Sequence, residues 1–203
     1  MPAQMSMTAA PSLLPGFDHP VDDAQQVFRT ALHAFAHPGQ VQALPATSGL
    51  PDGLSPAAAA LLLTLADSDT PVWLPADIPA AARAFLRFHC GCPLVDDLAA
   101  ATFVCVPAGY AMPMLAHCAQ GDPAYPDRSA TLLIEVASLA RGDALVLRGP
   151  GIDTTQALAV TGLAPDFRAQ WQANHAGFPL GVDLLLTAGD RFCALPRTTQ
   201  LEN

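Results

Sequence analysis

Apolar residues at Val21, Ala24, Phe28, Ala31, Leu32 and Phe35 repeat at helical spacing, so the first patterned stretch predicts an amphipathic helix. It opens at Asp18-His-Pro-Val-Asp-Asp23, where Pro20 suits a first turn and Asp22 and Asp23 complement the positive end of the helix dipole. His37-Pro-Gly39 closes it. Residues 57–66 are almost wholly apolar, which predicts a helix buried on every side. Residues 78–89, capped by Asp77, put Ala81, Phe85 and Phe88 on one side and Arg83 and Arg87 on the other. Asp166 opens a last helix over 167–176.

Short β-suited runs stand between these helices at 41–44, 72–74 and 102–106, and more densely later in the chain. Residues 131–137 and 144–148 read as a pair of strands joined by Leu139-Ala-Arg-Gly-Asp143, followed by a strand over 154–160. Residues 182–195 read as a hairpin around Ala188-Gly189-Asp190, because a Gly-Asp pair between two apolar runs is a turn signal. Prolines and glycines break up 107–128, leaving loop with one helical turn at 114–118. The pattern predicts an α/β fold: a single domain with a mixed β-sheet and helices packed on it. Residues 1–16 read as a flexible arm, 17–199 as the domain and 200–203 as a C-terminal tail.

Composition changes this picture at three points. Of the 203 residues 51% are hydrophobic and only 13% charged, so the polar surface is thin and points to association with partners or with a second copy. All 9 basic residues are arginine; a chain without lysine offers no Schiff-base amine and no lysine-based phosphate loop. The net charge of −9 repels polyanions, which argues against nucleic-acid binding. The 5 cysteines, at 90, 92, 105, 118 and 193, follow no framework spacing. No basic residue precedes the apolar part of residues 1–15, and no apolar run approaches a membrane span, so the expected location is the cytoplasm.

The candidate chemistry is sparse. Arg148-Gly-Pro-Gly151 follows a strand, and Arg197, Thr198 and Thr199 follow the last hairpin. Guanidinium forks beside glycine amides and hydroxyls suit a phosphate, so Arg148, Gly149, Gly151, Arg197, Thr198 and Thr199 form the candidate anion seat, against ordinary turns at both places. Asp67-Ser-Asp69 has the oxygens of a metal loop but also the look of a polar turn before Thr70-Pro71. His89-Cys-Gly-Cys92 and His117-Cys118 lack paired Cys-x-x-Cys spacing and read as small buried thiols at a helix end rather than zinc ligands. His33 and His37 share a helix face without an acidic third ligand. Glu135 lies in an apolar strand, Glu202 in the tail, and no Gly-x-Ser-x-Gly elbow occurs, so no residue is assigned a catalytic role.

Three stretches stand in order along the chain: 62–74 (Leu62 through Asp67-Ser-Asp-Thr-Pro-Val-Trp-Leu74), Leu147-Arg-Gly-Pro-Gly-Ile152, and Phe178-Pro-Leu-Gly-Val-Asp-Leu184 running on to Pro196-Arg-Thr-Thr199. With Val21-Asp-Asp-Ala-Gln-Gln-Val-Phe-Arg29, His37-Pro-Gly39 and Leu86-Arg-Phe-His89, they make the chain resemble the H subunit of the bacterial carbon-phosphorus lyase core complex over residues 17–199. The resemblance implies a cytoplasmic assembly with G, I and J subunits. It also implies participation, with G, I and an ATPase-like L partner, in transfer of ribose triphosphate from ATP to a phosphonate as adenine leaves. It implies a fold like that of pyridoxal-phosphate-dependent transferases, degenerate and without the cofactor, which the absence of lysine independently supports. The expected function is thus a non-catalytic or shared-site subunit of that complex, homodimeric when isolated. The alternatives are a free-standing enzyme, or a ligand-binding homodimer, acting on a phosphorylated small molecule.

Overall fold

The computed structural model describes residues 14–45 and 49–202. Its centre is a seven-stranded sheet ordered β1-β9-β8-β5-β4-β2-β3, built from β1 (Gln42–Ala43), β2 (Val72–Trp73), β3 (Leu94–Val95), β4 (Phe103–Val106), β5 (Thr131–Glu135), β8 (Asp183–Ala188) and β9 (Arg191–Leu195). β3, β2, β4, β5 and β8 run parallel, while β9 and β1 add antiparallel at one edge. The mixed sheet of a single α/β domain is therefore observed. β4 is buried at all four positions and β8 at Leu184 through Thr187, as expected of strands covered on both faces.

Helices α1 (Pro20–Ala36), α2 (Pro56–Leu65) and α3 (Ala80–Cys90) cover one face. α1 begins with Pro20 in its first turn, and the Asp23 carboxylate accepts the His19 N–H at 2.8 Å. Val27, Ala31 and Ala34 face inward. α2 packs against α1, α3 and β8, and its residues Ala57 through Leu62 are all buried, so an apolar surface on every side costs nothing. Leu133, Leu185 and Phe192 from the sheet complete this core.

The opposite face is covered by a separate three-stranded antiparallel sheet, ordered β10-β6-β7, and by α4 (Phe167–Ala176). Its strands are β6 (Ser138–Arg148), β7 (Gln156–Thr161) and β10 (Gln200–Leu201). Leu132, Ile134, Leu184 and Leu186 point to this side, one residue out of phase with the helix-facing set, as strand alternation requires. Leu145, Leu147, Leu158, Phe167 and Trp171 meet them.

Four expectations are corrected. Residues 131–137 and 144–148 are not a hairpin pair: β5 sits inside the central sheet between β4 and β8, and β6 pairs with β7 and β10 in the second sheet. The expected joint at 139–143 is part of β6 itself, because Gly142, at φ 110°, absorbs a register shift between Ser138 and Asp143 as a bulge. Gln200–Leu201, expected as tail, pairs with Arg148 and Leu147 of β6, and the Glu202 N–H continues the ladder to the Val146 carbonyl at 2.8 Å. At the other end, the Leu14 carbonyl is held by His89 Nε2 at 2.8 Å, so the chain is already docked before residue 17; the rest of the expected arm, 1–13, lies outside the described residues.

Candidate functional site

The parallel strands end together, and what stands beyond their carboxyl ends is the first place to look for chemistry. β5 finishes on Glu135. Its Oε2 accepts the Ser55 hydroxyl and the Thr187 hydroxyl, each at 2.5 Å, and its Oε1 accepts the Gly189 N–H at 2.9 Å. Ser55 is at the same time the N-cap of α2, its Oγ accepting the Ala58 N–H at 3.3 Å. α2 has no acidic residue in its own first turn, so the Glu135 carboxylate supplies, through Ser55, the negative charge that its positive end attracts. The Ala57 N–H is bonded to the Gly189 carbonyl at 2.8 Å.

Glu135 divides two recesses. One, of about 320 Å³, lies over Gly53, Ser55, Pro107 and Ala108; the other, of about 470 Å³, is bounded by Ser138, Gly189, Asp190 and Arg191. Sequence reasoning passed over this constellation. Ser55, Glu135 and Thr187 are 80 and 52 positions apart; the one local signal was a glutamate closing an otherwise apolar strand.

The expected anion seat is assembled differently from its sequence reading. β10 brings Thr199 and Gln200 alongside the end of β6, and Gly149 lies against the same strand: a Cβ there would meet the Thr198 carbonyl at 2.9 Å. Gly149, at φ 138°, and Gly151, at φ 82° with the Ala36 carbonyl 2.2 Å from any Cβ, are required by the approach of neighbouring backbone. Thr199 is buried, its N–H donating to the Pro196 carbonyl at 2.8 Å and its carbonyl accepting the buried Trp171 Nε1–H at 2.9 Å.

The two arginines are committed elsewhere. Arg197 pairs with Asp183, Nη2 to Oδ2 at 2.5 Å and Nε to Oδ1 at 3.1 Å, while Oδ1 also takes the Arg197 backbone N–H at 2.7 Å. Its Nη1 donates to the Pro126 and Pro179 carbonyls at 2.9 and 3.3 Å, and its Nη2 also to the Ser129 hydroxyl. Such a guanidinium ties the 126–129 turn, the 178–183 segment and the end of β9 together. Arg148 pairs with Glu202 on the surface.

The remaining motifs resolve into local structure. Asp67 Oδ1 accepts the Asp69 N–H at 2.9 Å and the Thr70 hydroxyl at 3.1 Å, a closed polar turn. His37 Nδ1 lies 2.9 Å from the His33 carbonyl and the two rings are 4.1 Å apart. Among the described residues no three or more His, Cys, Asp or Glu side chains are grouped as metal ligands. Burial pushes the thiols of Cys105 and Cys193 up to about 12 and that of Cys118 to about 11. For Cys105 the Glu135 charge adds to the effect. The neighbouring Cys90 and Cys92 thiols move apart, each chiefly through the other: Cys90 is raised, with burial adding, and Cys92 is lowered, with Arg87 helping.

Against known proteins, residues 15–202 match the family model described as "Bacterial phosphonate metabolism protein (PhnH)". The chain is 42% identical over 198 residues to the alpha-D-ribose 1-methylphosphonate 5-triphosphate synthase subunit PhnH of Rhizobium meliloti (strain 1021), covering 97% of this chain and 99% of that protein. It is 33% identical over 177 residues to the putative C-P lyase subunit protein HtxG of Stutzerimonas stutzeri, covering 87% and 85%.

Proposed function

The chain belongs to the bacterial phosphonate metabolism protein (PhnH) family, and from that premise we propose that it is a subunit of a carbon-phosphorus lyase assembly. In that role it supports synthesis of a ribose 1-phosphonate 5-triphosphate without turning over substrate alone. The observation that carries this reading is the likeness, end to end, to a protein named as such a subunit. The partners proposed are the G, I and J subunits, with L joining for the transfer from ATP, and the location is the cytoplasm; no helix among the described residues is long and apolar enough to cross a membrane. The proposal also keeps a fold resembling a degenerate pyridoxal-phosphate-dependent transferase without the cofactor; a chain with no lysine has no side chain to hold the aldehyde.

Two physical features favour a subunit over a free-standing enzyme. Val21, Phe28 and Leu32 of α1 are 81%, 46% and 54% exposed, and at i, i+7 and i+11 they share one face of the helix. The candidate anion seat, in turn, retains only Arg148 as an arginine whose surface carboxylate partner a phosphate could replace, because Arg197 is saturated by Asp183, the Pro126 and Pro179 carbonyls and the Ser129 hydroxyl. The test is affinity purification from the native host during growth on phosphonate, with the intact assemblies weighed by native mass spectrometry. Recovery with the G, I and J subunits is expected. Recovery solely as monomer or homodimer, while those subunits are expressed, sinks the reading.

A further inference from the structure

The five cysteines are all free thiols, and their surroundings divide them. Cys105, Cys118 and Cys193 are buried, and burial raises them to about 12, about 11 and about 12. Thiols so placed keep their protons and are inert towards disulfides. Cys90 and Cys92 differ: Cys90 is partly exposed, Cys92 is buried, and the two side chains are within hydrogen-bonding reach of each other.

The backbone explains why they meet. Cys90 is the last residue of α3, and Gly91 follows in the left-handed region, at φ 65° and ψ 8°, its N–H bonded to the Arg87 carbonyl at 3.2 Å. One residue in a helical conformation of either hand sets the Cα atoms of its neighbours roughly 5.5 Å apart, inside the range of about 4.4–6.8 Å that disulfides span. Cys90 Sγ lies 3.6 Å from the Leu62 carbonyl in the last turn of α2, and Cys92 Sγ 3.9 Å from the Leu86 carbonyl of α3. A Cβ added at Gly91 would meet nothing within 4 Å, so the turn is open to an approaching reagent. Cys92 is lowered chiefly by Cys90 and further by Arg87, against burial and Asp67. Arg87, in the last turn of α3, thereby offsets the negative end of the helix dipole, which disfavours a thiolate there.

We propose that Cys90 and Cys92 form a reversible oxidation site, closing to an intramolecular disulfide by exchange with a low-molecular-weight disulfide. One thiol loses its proton, and its thiolate attacks the reagent to form a mixed disulfide and release one small thiol. The second protein sulfur, deprotonated in turn, displaces the other small thiol. Two protein thiols are thus oxidised to one disulfide while one small disulfide is reduced to two thiols, and no other oxidant is needed. The new loop encloses a single residue, and stabilisation by a cross-link grows with loop length, so the bond is readily reopened. Closed, it ties the end of α3 to the segment leading into β3, the edge strand of the central sheet. The site belongs to this chain and does not rest on the assembly reading.

The test is incubation of the purified, folded full chain with oxidised glutathione, acid quenching, alkylation of the remaining thiols in denaturant, and mass spectrometry. A loss of two hydrogens is expected in the intact chain. Fragmentation of residues 88–128 is expected to show Cys90 and Cys92 unalkylated and Cys105 and Cys118 alkylated, and dithiothreitol to restore the starting mass. Cys92→Ser removes the second sulfur, so this variant is expected to lose no hydrogens and to keep glutathione on Cys90 as a mixed disulfide. An unreacted chain, a glutathione adduct in place of the two-hydrogen loss, or a disulfide that includes Cys105, Cys118 or Cys193 overturns the proposal. So does closure that occurs only when the chain is unfolded before oxidation, or that persists in Cys92→Ser.

Discussion

Arg197 and Arg148 look alike in the sequence, each an arginine at or just beyond a strand end beside glycines or hydroxyls, yet they live in opposite physical regimes. The Arg197 side chain is 12% exposed and the Asp183 side chain 20%, and their pair is surrounded by three further hydrogen bonds, to Pro126, Ser129 and Pro179. The Arg148 side chain is 53% exposed, its Glu202 partner 37%, and the pair stands alone. A desolvated charge must be matched at every donor or it destabilises the fold, whereas an exposed one is matched by water whenever its partner leaves. The lesson is that a motif's chemistry depends on burial before it depends on residue type.

The comparison is broken most forcefully at Arg197. Removing it by Arg197→Ala leaves Asp183 partly buried without its cation and frees the 126–129 turn, so a loss on the order of 3–5 kcal/mol is expected. Arg197→Lys is not expected to restore it, since one ammonium cannot reach Asp183, Ser129 and two carbonyls from a single plane. Urea denaturation of both variants checks this; a change under about 1 kcal/mol in Arg197→Ala would show that the pair is no stronger than a surface contact.

Glu135 is intermediate between the two regimes. Glu135→Leu strands the Ser55 and Thr187 hydroxyls and the Gly189 N–H, and a loss of about 1–3 kcal/mol is expected. Ser55→Ala removes only the N-cap and one bond to the carboxylate, so about 1 kcal/mol is expected from the same denaturation curves. If Ser55→Ala costs as much as Glu135→Leu, the hydroxyl rather than the charge is what secures the end of α2.

The buried thiols add a pH dependence whose sign can be worked out. Cys105 and Cys193 are held near 12 in the fold against 9.0 when free. Above pH 9 the unfolded chain therefore releases protons that the folded chain keeps, and stability falls as the pH climbs from 9 through 12. Cys193→Ala is expected to flatten this alkaline limb while leaving the curve near neutrality to reflect packing alone; an unchanged alkaline slope would show that Cys193 ionises as readily in the fold as out of it.

The legible parts of the fold are those where one strong local signal acts. α4 appears over the residues expected after Asp166, and α2 follows from an apolar run too long and uniform to be anything but buried. The 183–195 hairpin follows from Gly189-Asp190 between two apolar runs. What stayed hidden depended on partners distant in sequence. β3 and β10 have two residues each and exist because Val72 and Arg148 offer them ladder positions. The Gly142-Asp143 pair carries the same turn signal as Gly189-Asp190, but β7 extends alongside it, so the glycine becomes a bulge within a strand instead of a loop. The neutralising partners of the candidate arginines follow from strand pairing: Asp183 meets Arg197 across the open end of the β8-β9 hairpin, while Glu202 reaches Arg148 because β10 pairs with β6, which no local signal announces.

The smallest effect expected is also the one that most sharpens the contrast. Arg148→Ala should change stability by less than about 1 kcal/mol, because water replaces Glu202 at an exposed guanidinium and the β6-β10 backbone ladder is untouched. That small change should shrink further in high salt, where screening has already weakened the pair. Parallel denaturation series for Arg148→Ala and Arg197→Ala at low and high ionic strength separate the two cases. A salt-insensitive loss at Arg148 comparable to that at Arg197 would mean that the exposed pair is locking the last strand to β6, and that the second sheet closes through its charges as well as its backbone.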